Sequence, residues 1–195
     1  MTLPDSTQHS SRSRVSTRTQ LLVWTFLLAL LGLVAAGLLR AQKPLLQKGE
    51  QVPDFVLSLY SGYEYEGRSE VALRDLRGKV VVINFWASWC KPCEAEAADL
   101  EAAWRMYRPG GEVVFLGVDY VDTEPEARSY LAKFEITYPN GPDKGTRISQ
   151  LFNRNLGVPE TYILDRQGVL RYIKIGPFAS LEEIVQAIEA VRKGE

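Results

Sequence analysis

The stretch Val80-Val81-Val82-Ile83-Asn84-Phe85-Trp86-Ala87-Ser88-Trp89-Cys90-Lys91-Pro92-Cys93 decides the fold. Residues 80–86 are almost uniformly apolar, without the polar alternation of a half-exposed strand. They read as a strand buried on both faces of a parallel or mixed sheet. Two cysteines three positions apart follow where strand gives way to helix. They are the only two in 195 residues, and in that context they read as a redox pair. A static disulfide is the weaker reading, because a bond closing so small a loop constrains the unfolded chain little. At the helix start, Cys90 would face unpaired backbone N–H groups and the positive end of the helix dipole, which favours its thiolate. The thiolate is the attacking form in exchange, so Cys90 forms the mixed disulfide and Cys93, in the first turn, resolves it. Lys91 and Pro92 tune the potential, the lysine by adding positive charge beside a thiolate.

Downstream, Ala97, Leu100, Trp104 and Tyr107 recur at helical spacing, and Pro109-Gly110-Gly111 stops that helix. A second core strand is expected over 113–118, and a helix opening at Thr123-Glu124-Pro125-Glu126 carries Ala127, Tyr130, Leu131 and Phe134 on one side. Strand, helix, strand, helix implies a parallel crossover. Residues 139–143 read as a turn-dense loop and 148–156 as a short helix. Residues 161–164 and 170–175 flank Asp165-Arg166-Gln167-Gly168 in a hairpin pattern. Ser180 caps a last helix with an apolar stripe at Leu181, Ile184, Val185, Ile188 and Val191. Upstream, residues 55–59 and 70–73 form an N-terminal β-hairpin extension. Its tyrosines, Tyr60, Tyr63 and Tyr65, suit the amphipathic surface of an edge hairpin better than a binding platform.

Bulk composition narrows the function. With 46% hydrophobic and 24% charged residues the chain can bury one good core. Lys+Arg 23 against Asp+Glu 24 leaves no basic excess for nucleic acid, so that partner class is set aside. The single histidine is His9 and the methionines are Met1 and Met106, so there is no cluster to hold zinc, copper or haem, and no metal ligands are assigned.

Residues 1–20 are a polar tail with Arg12, Arg14 and Arg18. Residues 21–39 carry no charge and as a helix would span roughly 28 Å, the thickness of a bilayer core. A secretory signal has a shorter apolar region and a buried helix is not apolar all round beside a polar tail, so an uncleaved transmembrane anchor is the expectation. The tail also has the composition of an organelle transit peptide. Arg40, Lys43 and Lys48 balance the arginines before the span, so charge alone leaves its orientation open. Residues 40–51 form a linker and 52–195 the folded domain.

The stretch from Val82 to Cys93 resembles the active site of the thioredoxin superfamily, and the similarity extends over residues 50–193. The anchor, Val52-Pro53-Asp54-Phe55, Glu96 and Gly157-Val158-Pro159-Glu160-Thr161 are most similar to the membrane-anchored TlpA/ResA and CcmG (DsbE) branch. The resemblance implies an α/β thioredoxin-like fold with a mixed central sheet, the hairpin extension and a single transmembrane helix. It implies that Pro159 is the family's cis-proline, leaving Val158 to pair with an extended partner beside Trp89 and Cys90. Cytosolic thioredoxins have a buried aspartate where this chain has Asn84, which cannot carry the resolving thiol's proton. Glu96, one turn from Cys93, then becomes the expected proton acceptor, with Glu160 second.

By the same resemblance the protein is a thiol-disulfide oxidoreductase that reduces apocytochrome c during cytochrome c maturation. It would be recharged by a DsbD- or CcdA-type membrane electron donor. Residues 1–20 would lie in the cytoplasm and the catalytic domain on the periplasmic or extracytoplasmic side of the inner membrane. Thiol-disulfide exchange needs no metal, flavin or nicotinamide, so no cofactor is expected. Two alternatives stay open: a general extracytoplasmic exchange or oxidant protein, and a non-catalytic assembly factor that binds apocytochrome.

Overall fold

The computed structural model describes residues 16–41, 46–152 and 157–194. Most of the polar tail, positions 42–45 of the linker and the end of the helix expected over 148–156 lie outside those residues. The chain divides into two compact units, Met1–Lys43 and Pro44–Glu195.

The described residues of the first unit form a long helix, α1 (Thr17–Ala41). Its segment Thr17–Ala36 has mean hydropathy 2.1 and is long and apolar enough to cross a membrane. It starts four residues before the uncharged run expected at 21, because Thr17, Arg18, Thr19 and Gln20 continue the helix.

The second unit is built on five strands in the order β5-β4-β3-β6-β7. They are β3 (Val80–Trp86), β4 (Val113–Asp119), β5 (Asn140–Pro142), β6 (Glu160–Leu164) and β7 (Leu170–Ile175). β3 lies parallel to β4, and β4 to β5, whereas β6 and β7 run antiparallel, so the sheet is mixed. Every residue of β3 and β4 is buried, as an apolar run without alternation requires. Val80, Val82 and Trp86 face a core shared with α2 (Lys91–Tyr107), α3 (Glu124–Lys133) and α5 (Leu181–Lys193). Val81, Ile83 and Phe85 face the other core, closed by Phe55, Leu57, Val71 and Leu76, and by Ile148 of α4 (Arg147–Leu151). The period of two along β3 thus assigns each side chain to a layer.

The expected hairpin extension is present as β1 (Val56–Ser58) paired antiparallel with β2 (Glu70–Ala72). Tyr60 and Tyr65 beside it are core residues, 5% and 7% exposed. Glu50 and Gln51, placed in the linker by composition, are tied to the β6–β7 hairpin: Leu170 N donates to Glu50 O at 2.9 Å, and Gln51 Nε2 to Gly168 O at 2.9 Å.

One expectation fails: residues 139–143 are not simply a loop, because Asn140–Pro142 form the edge strand β5. Turn-type residues are tolerated there because a proline at an edge owes no N–H to an outer neighbour. Gly141 is required by a close approach, since a Cβ on it would lie 1.9 Å from Ser58 O at the end of β1. That obstacle is backbone and cannot swing aside. Gly141→Ala should therefore lower stability by about 2 kcal/mol, read from urea unfolding, and an unchanged midpoint would show that β1 is free to move off β5.

Candidate active site

β3 delivers the chain to the cysteines and α2 begins immediately after. Cys90 is the N-cap of α2, with Pro92 in its first turn, where proline's missing N–H costs no hydrogen bond. Cys93 N donates to Cys90 Sγ at 3.1 Å, so the sulfur occupies the place a capping oxygen would take. The two cysteines are joined as a disulfide with Cα atoms 5.2 Å apart. Both are buried, while Trp89 just before them is 61% exposed. Lys91, expected to tune the potential, pairs its Nζ with Glu94 Oε1 at 3.1 Å.

Asn84 and Glu96 are brought together. Asn84 Nδ2 donates to Glu96 Oε1 and to Thr161 Oγ1, each at 3.0 Å. Phe178 N donates to Glu96 Oε2 at 2.8 Å. Glu96 is 1% exposed, and burial raises its pKa to about 7 against the lowering effect of those two donors. Cys93 and Glu96 lie one turn apart on α2, and both are buried. A carboxyl with that pKa can exchange a proton with a thiol near neutral pH.

Val158–Pro159 is a cis peptide bond. Asn84 pairs with Thr161 and Phe85 with Glu160, so Pro159 immediately precedes the strand that lies beside β3, and its carbonyl accepts from Gly176 N at 3.0 Å. Glu160 is a different case from Glu96. It shares the strand face of Tyr162, whose hydroxyl donates to Glu160 Oε2 at 2.7 Å, and Tyr162 packs in the core opposite the one that holds Cys93. Strand alternation thus separates Glu160 from the resolving cysteine. It is also 1% exposed, away from any substrate surface.

Two groups at the site escape a reading of the sequence. The Phe178 amide reaches Glu96 from 82 residues away, and Asp122 accepts hydrogen bonds from both Ser88 N and Ser88 Oγ. Neither has a local pattern, although an acid soon after a core strand and before a helix cap is a place to look for the second.

Residues 48–173, more than half the chain, match the model of the AhpC/TSA family. The chain belongs to that family. Within it, the chain is 34% identical over 138 residues to thioredoxin-like protein YneN of Bacillus subtilis, covering 70% of this chain and 76% of the relative. It is 31% identical over 181 residues to thiol-disulfide oxidoreductase ResA of Geobacillus thermodenitrificans, covering 93% and 98%. A Chlorobium tepidum structure assigned as thiol:disulfide interchange protein DsbE superposes with a TM-score of 0.65 at 26% identity, covering 75% of this chain and 98% of that one. With the Cys90–Cys93 pair at the head of α2, this AhpC/TSA member is a thioredoxin-like thiol-disulfide oxidoreductase of the ResA/DsbE type. Among the described residues no group of His, Cys, Asp or Glu side chains is placed to hold a metal ion.

Proposed function

We propose that this oxidoreductase is anchored by α1 with its catalytic domain on the extracytoplasmic side, and there reduces disulfides of apocytochrome c so that haem can attach. The observation that carries the reading is the buried Glu96 one helical turn from Cys93, in a chain whose described residues include an apolar helix of spanning length. In the reduced enzyme the Cys90 thiolate attacks a substrate sulfur. A Cys90–substrate disulfide forms, the substrate S–S bond breaks, and the released thiolate takes a proton. Cys93 then gives its proton to Glu96 and attacks Cys90 sulfur. That frees the second substrate thiol and restores the Cys90–Cys93 disulfide, two electrons having passed to the substrate. A DsbD- or CcdA-type membrane donor reduces the pair again.

Cys93→Ala stops the cycle at the mixed disulfide. In cells, that variant should accumulate a covalent adduct with apocytochrome c that is lost on reduction. Adducts containing only other proteins would overturn the substrate assignment and favour general extracytoplasmic exchange.

A further inference from the structure

The loop that follows β4 is bonded once to the end of β3 and twice to the active-site turn. Tyr120 N donates to Trp86 O at 2.8 Å, and Asp122 accepts from Ser88 N at 2.5 Å and from Ser88 Oγ at 2.9 Å. Between them Val121 has φ 57° and is 62% exposed. A β-branched residue in the left-handed region is strained, and persists only where its surroundings dictate the backbone. Behind the loop, Asp119 is 1% exposed. Its Oδ2 accepts from Tyr60 OH at 2.7 Å, while its Oδ1 is buried and receives no hydrogen bond.

We propose that Asp122 is a positioning residue for exchange: its side chain fixes the turn that presents Trp89 and Cys90 to a polypeptide substrate. The inference needs only the exchange chemistry, so it survives if apocytochrome c proves not to be the substrate. Burial first, then Asp122 and Asp143, raise the pKa of Asp119 to about 8, against the Tyr60 hydrogen bond. Asp143 comes from the segment after β5, where it accepts from Ile148 N and Ser149 N. On the α3 side, Arg128 lies over the Tyr60 ring and pairs with Glu124.

The test uses the reduced full-length chain and the ratio of two exchange rates, one with an oxidised Cys-x-x-Cys peptide and one with hydroxyethyl disulfide. Thiolate fraction cancels in the ratio, and the small disulfide needs no seating on the turn. Asp122→Ala should lower the ratio about tenfold, since a small misplacement of a reacting group carries a large rate penalty. Ser88→Ala, which keeps the backbone bond, should lower it less. A ratio unchanged in both Asp122→Ala and Ser88→Ala, or both rates falling together in proportion to lost folded protein, would overturn the role of Asp122.

Discussion

Cys90→Ser should reduce peptide-disulfide exchange by at least about a thousandfold, because removing an enzyme's nucleophile typically costs that much or more. The geometry gives the reason. Cys90 Sγ sits at the N-cap of α2 with the Cys93 N–H directed at it, and after reduction the same N–H and the helix dipole favour the thiolate. A serine hydroxyl in that place accepts the capping bond equally well, yet stays protonated and attacks no disulfide. Folding should be nearly unaffected, since the lost bond closes a loop between positions separated by 3. The measurement is stopped-flow reduction of an oxidised peptide, with thermal unfolding alongside. Exchange that survives the substitution would make Cys93 the nucleophile. A variant without exchange that still supported cytochrome maturation would favour the assembly-factor alternative.

What the sequence discloses depends on whether the signal is local. β3 was legible because both its faces are buried, so seven consecutive residues carry the information. α5 was legible from its stripe and from Ser180, whose Oγ accepts from Glu183 N as an N-cap should. β5 was not, because Asn140-Gly141-Pro142 is chosen by its neighbours rather than by strand propensity. Asn140 Oδ1 accepts from Trp86 Nε1 at 2.9 Å, and Gly141 makes room for Ser58. The cysteines were legible from spacing alone, whereas the surroundings of Glu96 were not, since its donors arrive from Asn84 and Phe178. Glu160 shows the converse hazard. It adjoins Pro159 in sequence, but strand alternation carries it to the opposite core.

Glu96→Gln should slow resolution of the mixed disulfide about 100-fold at pH 7, the lower range for removal of a general acid–base group. Cys93 must lose a proton before it attacks Cys90, and among the described residues on its helix Glu96 is the buried carboxyl one turn away. Its pKa of about 7 keeps it part ionised and close to a thiol in proton affinity. Gln cannot take the proton, so the pH–rate profile should lose the ionisation near 7, and the deficit should shrink at alkaline pH as hydroxide replaces the carboxylate. Stability provides a second readout with a definite sign. The pKa is raised on folding from 4.5 to about 7, so between those values the folded chain holds a proton that the unfolded chain has released. Parent stability therefore declines as pH rises through that window, by about 3 kcal/mol for this group. Gln does not titrate, so that component of the slope should vanish in urea unfolding from pH 4 to 8. If the slope disappeared and the rate did not change, Glu96 would be a buried acid with no part in proton transfer. If the rate fell and the slope persisted, another group, with Asp119 the first to test, would own the pH dependence of stability.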